Sequence, residues 1–176
     1  HYTTSDGEPV HIQYKLLSGF GHVVVSNTYE NGLGIIKFKE GVESISDHAF
    51  ANSNLVSISI PECITSIGDK TFMGCRDLAS VELPESVTEI GTEAFTGCAS
   101  LRDIVVPSGV SVIKKKTYSD CTALTSISIP EGITTIRAEA FEDCTGITSV
   151  TLPESMTTIE EAPFSGCNNL VEFYGK

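Results

Sequence analysis

Six cysteines are the most reactive side chains of this chain, and five of them, Cys75, Cys98, Cys121, Cys144 and Cys167, stand 23 residues apart. A regular thiol series invites either a disulfide framework or a column of buried thiols. The preceding unit carries Ser53 in the equivalent register, which describes a slot for a small, partly apolar side chain. Buried free thiols are therefore the expectation. Cys63 lies off the series, where other units place Ser86, Gly109, Gly132 and Ser155. It is expected to face water and to be the one reactive thiol.

Metal chemistry needs donors that converge at tight spacing. There is no Cys-x-x-Cys, no His-x-x-x-His and no Asp-x-Asp-x-Asp-Gly loop, and His1, His11, His22 and His48 are scattered. No metal and no cofactor is expected. Glu62, Glu85, Glu131 and Glu154 form a column after successive prolines, which can gather Ca²⁺ but reads more simply as a solvated acidic edge. Lys70, Glu93, Lys116 and Glu139 alternate in charge at another fixed register, a surface ion ladder worth about 0.2 to 1 kcal/mol per pair. Lys114, Lys115 and Lys116 make the only basic run, either a docking spot for an anion or a solvated face. Serines and carboxylates abound, but the repeat alone accounts for their spacing. With no Gly-x-Ser-x-Gly, phosphate loop or dinucleotide fingerprint, the chain is not expected to be an enzyme.

The elements that must position these residues follow from the period. Pro61, Pro84, Pro107, Pro130 and Pro153 recur every 23 residues. The third residue after each is Ile64, Val87, Val110, Ile133 or Met156, and the sixth is always Ile. An aromatic ladder follows, Phe72, Phe95, Tyr118, Phe141 and Phe164, then the cysteine, then Leu78, Leu101, Leu124, Ile147 and Leu170. An earlier unit is phased by Val42, Ile45, Phe50 and Leu55, and Leu33, Ile36 and Phe38 match a closing strand. A unit this short cannot bury its own apolar face, so it must stack. The reading is a repeat solenoid over residues 33–176, of about six 22–23-residue repeats, with strands starting at residues 33, 55, 78, 101, 124, 147 and 170. At about 4.8 Å per strand the array is roughly 34 Å long. Residues 10–17 alternate apolar and polar, Ser18-Gly19 reads as a turn and residues 20–25 as a second strand, so residues 1–32 are expected to form a β-hairpin cap over the open end.

This pattern of proline, apolar pair, aromatic, cysteine and leucine resembles the BspA-type leucine-rich repeats of bacterial surface proteins, over about residues 33–174. The resemblance implies a right-handed leucine-rich-repeat stack with a parallel β-sheet on one face. It also implies a secreted or cell-surface setting and a role in adhesion, host or matrix contact.

Composition agrees with a folded domain: 176 residues with 40% apolar side chains can bury a continuous core. No stretch is apolar enough for membrane insertion, and a start at His1 without an n-region or h-region reads as a chain whose signal peptide has been removed. A net charge of −12 argues against nucleic acid as a partner. The outward strand columns, Ser57, Ser80, Asp103, Ser126 and Ser149 beside Ser59, Glu82, Val105, Ser128, Thr151 and Tyr174, are dominated by hydroxyls. Together with Arg102 they are the candidate partner-binding residues, with Arg102, Asp103, Val105 and Glu82 the least monotonous patch. A protein partner on this face is expected. The alternatives are a structural spacer, or a glycan-binding domain, for which only Tyr174 offers an aromatic platform. Weak end-to-end self-association through the last coil is a further expectation.

Overall fold

The computed structural model describes residues 1–10, 12, 24–38 and 40–175. Six coils, residues 40–60, 61–83, 84–106, 107–129, 130–152 and 153–175, stack into a β-solenoid, as expected. The last five each open on a turn in which the proline carbonyl accepts the N–H of the third residue onward, from Ile64 to Pro61 at 3.0 Å to Met156 to Pro153 at 3.2 Å. That turn leads into a two-residue strand. These are β4 (Ser44–Ile45), β6 (Ser66–Ile67), β8 (Glu89–Ile90), β9 (Val112–Ile113), β11 (Thr135–Ile136) and β13 (Thr158–Ile159). They form a second parallel ladder that the sequence reading did not include, in two pieces, β4-β6-β8 and β9-β11-β13.

The closing strands are β5 (Leu55–Ser59), β7 (Ser80–Glu82), β10 (Ser126–Ser128), β12 (Ser149–Leu152) and β14 (Glu172–Gly175). After β5 they begin two residues later than expected, because the N–H at the leucine position still closes the preceding turn, as Leu78 does to Cys75 at 3.1 Å. Pairing is parallel and in strict register, Ser57 with Ser80 and Ser126 with Ser149 and then Glu172. One expected strand is missing. Residues 101–106 run without strand pairing, so the face divides into β5-β7 and β10-β12-β14.

The seven-strand parallel array also needs correction at its start. The strand expected at residue 33 exists as β3 (Leu33–Phe38), but β1 (Tyr2–Thr4) intervenes between it and β5, antiparallel to both. Gly34 makes this possible, since a Cβ there would lie 2.0 Å from the Tyr2 ring. A hairpin joins β2 (Val24–Glu30) to β3 through Asn31 and Gly32, both at positive φ, as tight hairpin turns require. The hairpin expected over residues 10–25 falls mostly outside the described residues.

Inside, Phe50, Phe72, Phe95, Tyr118, Phe141 and Phe164 stack with centroids 5.1 to 5.5 Å apart and planes within 13°. Phe173 meets Phe164 edge-on at 5.6 Å and partly covers the end of the column.

Candidate functional site

The cysteine register is explained by hydrogen bonding across coils. Each ladder thiol donates to the aromatic residue's carbonyl one coil back: Cys75 to Phe50 at 3.0 Å, Cys98 to Phe72 at 3.2 Å, Cys121 to Phe95 at 3.3 Å, Cys144 to Tyr118 at 2.9 Å and Cys167 to Phe141 at 3.1 Å. All five are free and buried, and Ser53 at the same register lies 3.3 Å from the Cys75 sulfur. The position selects a small side chain with one donor, which serine and cysteine share. Burial pushes the Cys98 thiol well above its ordinary pKa and that of Cys167 up to about 11, so neither is a nucleophile near neutrality. Cys63 is free and exposed.

The charged columns are outward because the backbone turns them outward. His48, Lys70, Glu93, Lys116, Glu139 and Ala162 all adopt a left-handed conformation, with φ of 50° to 59°. Lys70 pairs with Glu93 at 3.6 Å, and Lys116 pairs with Glu139 and with Glu142, each at 3.0 Å. The hydrogen bond from Lys116 holds the Glu139 carboxyl below its usual range, and Arg137 does the same to Glu160. Lys114 bonds Glu89 at 2.5 Å and Lys115 approaches Glu139 at 3.6 Å. The basic run is thus engaged by acidic neighbours rather than displayed as an anion dock. The acidic column is likewise tied into the coils. Glu85 accepts the Ser108 N–H at 3.2 Å and its hydroxyl at 2.9 Å, and Glu131 accepts from the backbone of Glu154 and Ser155.

The strand face is divided into three parts by the break at residues 101–106. Ser57, Ser59, Ser80 and Glu82 lie on β5 and β7, where the Ser57 hydroxyl is 2.7 Å from that of Thr3 and the Ser59 N–H bonds the His1 carbonyl at 2.9 Å. Ser126, Ser128, Ser149, Thr151 and Tyr174 form a second patch on β10, β12 and β14, and the Tyr174 hydroxyl reaches Glu172 at 2.9 Å. Between them Arg102, Asp103 and Val105 are exposed, Val105 at 77%. Among the described residues, the amides and carbonyls of residues 102–106 make no backbone hydrogen bond, and Arg102 has no ion pair. Beside this stretch runs a shallow trench of about 630 Å³ along the rim of the face. Arg102 and Asp77 line it with Ser100, Thr125 and small side chains. Of the expected least monotonous patch, only Arg102 enters this trench; Glu82, Asp103 and Val105 do not. The alternation of the flanking strands hid the break, since Leu101 and Ile104 keep the apolar spacing of their neighbours. Asp103 where four coils carry serine was the available signal, because aspartate is depleted in strands.

Among solved structures, a leucine-rich cell-surface protein from Faecalibacterium prausnitzii is 37% identical over 69% of this chain, with a TM-score of 0.67. A leucine-rich repeat protein from T. pallidum is 35% identical over 78%, with a TM-score of 0.74. The chain spans 32% of the first protein and 65% of the second. The pneumococcal vaccine antigen PcpA shares the fold alone, at 16% identity and a TM-score of 0.63 over 86% of this chain and 36% of its own length. No curated protein sequence matches. The BspA-type leucine-rich repeat region matches six copies over residues 29–173, and the chain accordingly belongs to the BspA-type leucine-rich repeat family.

Proposed function

We propose that this chain is a non-catalytic recognition module of a bacterial cell-surface protein, and that it binds a protein partner on the strand face around Arg102, Asp103 and Val105. The observation that carries this reading is the unpaired stretch itself. It offers an exposed apolar side chain, free backbone donors and acceptors, and a guanidinium on the wall of a trench. Arginine is among the side chains enriched at binding hot spots. The hydroxyl-rich patches on either side are flat and provide complementarity rather than anchoring. Likeness to a cell-surface protein of Faecalibacterium prausnitzii supports an extracellular setting.

The experiment is a pull-down of cell-surface and matrix proteins with the domain and with an Arg102→Glu, Val105→Glu double variant. Both substitutions are at exposed positions and leave the core untouched. A partner retained by the wild type and lost by the variant is the expected result. Equal retention by both proteins refutes this site and favours a spacer within a longer surface protein, whereas retention only of glycans would place the chain among carbohydrate binders.

A further inference from the structure

The six coils are not joined equally. At the interfaces of coils 40–60 with 61–83, 107–129 with 130–152, and 130–152 with 153–175, both strand ladders are formed. Between coils 61–83 and 84–106 the second ladder survives through β6 and β8. Between coils 84–106 and 107–129 neither ladder is formed among the described residues: β8 and β9 belong to different sheets, and residues 101–106 do not pair with β10. The missing bonds can be named from the neighbouring coils. Thr88 and Thr134 donate to Thr65 and Ser111 at 2.8 Å, and Gly91 and Arg137 donate to Ile67 and Ile113 at 2.9 Å. The equivalent N–H groups of Ser111 and Lys114 make no backbone bond among the described residues.

The turn side of the same interface is intact. Glu93, Phe95 and Gly97 donate to Lys115, Thr117 and Ser119 at 2.9 to 3.0 Å, and Ala123 donates to Ala99 at 3.1 Å. Phe95 and Tyr118 stack across it at 5.5 Å. On the open side a cleft of about 270 Å³ lies between Thr88, Glu89 and Ile90 on one coil and Ser111, Val112 and Lys114 on the next. The side-chain bonds that cross the interface beside it are Lys114 to Glu89, Ser108 to Glu85, and a long one at 3.4 Å from the Thr117 hydroxyl to the Gly91 carbonyl. The first two are exposed, and exposed polar contacts of this kind are weak and exchange readily with water.

A second observation falls on the same junction. Tyr118 is the single tyrosine in the aromatic column, it is fully buried, and its hydroxyl has no hydrogen-bond partner among the described residues. A buried donor left unpaired disfavours the closed packing, and opening the neighbouring interface admits water to it.

We infer that the interface between residues 84–106 and 107–129 is a hinge. The solenoid consists of two hydrogen-bonded blocks, and they open along the two ladder faces about an axis on the turn side, near Glu93 to Ala99. The strand-face patch around Arg102 and Val105 lies on the opening side, so the hinge varies the curvature of the face carrying the proposed site while not depending on that site.

Double electron–electron resonance tests this on the full chain with Cys63→Ser, which removes the exposed thiol. One nitroxide pair at Thr65→Cys and Thr157→Cys reports the ladder side, and a second at Arg76→Cys and Asn168→Cys reports the turn side. Both pairs are exposed and span the same four interfaces, roughly 19 Å at the usual strand spacing. The expected result is a ladder-side distance distribution at least double the width of the turn-side one, narrowed by Tyr118→Phe. Equal widths, or a ladder-side distribution that Tyr118→Phe leaves unchanged, overturn the hinge. Because these readouts need no partner, they stand or fall separately from partner binding at Arg102.

Discussion

Tyr118→Phe is expected to stabilise this protein, against the usual direction for a change inside a core. Tyr118 has no solvent exposure, and its hydroxyl has no partner among the described residues. Burial raises its pKa, so the neutral phenol persists throughout the ordinary pH range. An unsatisfied buried hydroxyl costs about 1 to 3 kcal/mol, and removing it recovers most of that cost. The ring keeps its stack on Phe95 at 5.5 Å and on Phe141 at 5.3 Å, so the change subtracts only one oxygen atom from the packing. A net gain of ~1 to 2 kcal/mol follows, which for a domain of this length raises Tm by about 2 to 4 °C per kcal/mol. Calorimetry and urea unfolding of the two proteins measure it, with Phe141→Tyr as the reverse control expected to lose stability. A Tyr118→Phe protein that melts below the wild type would refute the reasoning, because it would show that the hydroxyl is held by a buried water whose bonds outweigh its burial.

Three further outcomes are expected. Phe95→Ala should lose about 3 to 5 kcal/mol and Phe50→Ala less. The two rings are equally buried, so the difference comes from what surrounds them: Phe95 is sandwiched between Phe72 and Tyr118, whereas Phe50, stacked on Phe72, borders a cavity of about 250 Å³ with Ile36, Phe38 and Ile45. Matching urea midpoints for the two variants would contradict this. In native protein a thiol reagent should add a single label, at Cys63, and the intact unreduced mass should show no loss of hydrogen from disulfide formation; labelling of Cys98 before unfolding would count against the buried thiol–carbonyl bonds. At high concentration the domain should associate weakly through the outer edge of β14, where Val171, Phe173 and Tyr174 are exposed, and Phe173→Lys should abolish this; a wild-type monomer by light scattering at millimolar concentration would disprove it.

The period made the stack legible because stacking is the only way a 23-residue unit can bury its apolar residues. Ile67, Phe72, Cys75 and Leu78 all entered the core as their spacing required. What stayed hidden were features in which hydrogen bonding rather than hydrophobicity decides. The two-residue ladder at Ser66–Ile67 and its counterparts is too short to show alternation, and the αL residue at Lys70 is invisible in a column of charged side chains. β1 was unreadable for a different reason: Tyr2–Thr4 pairs with β5 more than fifty residues away, and Gly34, which admits the Tyr2 ring, looks like any strand glycine until that ring is in place.

The break at residues 101–106 is the most instructive difference, since it falls on the residues that the sequence singled out for their chemistry. Leu101 and Val106 are buried like their counterparts, so the hydrophobic pattern is satisfied whether or not the backbone between them pairs. The residue that sets this stretch apart is Asp103, where four coils carry serine, since aspartate is depleted in strands. A repeat protein tolerates such a lapse because stability is summed over neighbouring interfaces, and the aromatic stack and turn bonds of the same coil continue through it. One coil can therefore give up its ladder and expose its backbone while the coils on either side hold the fold. That is how a structure built from near-identical units obtains one position unlike the rest, and a site distinct from its surroundings requires such a position.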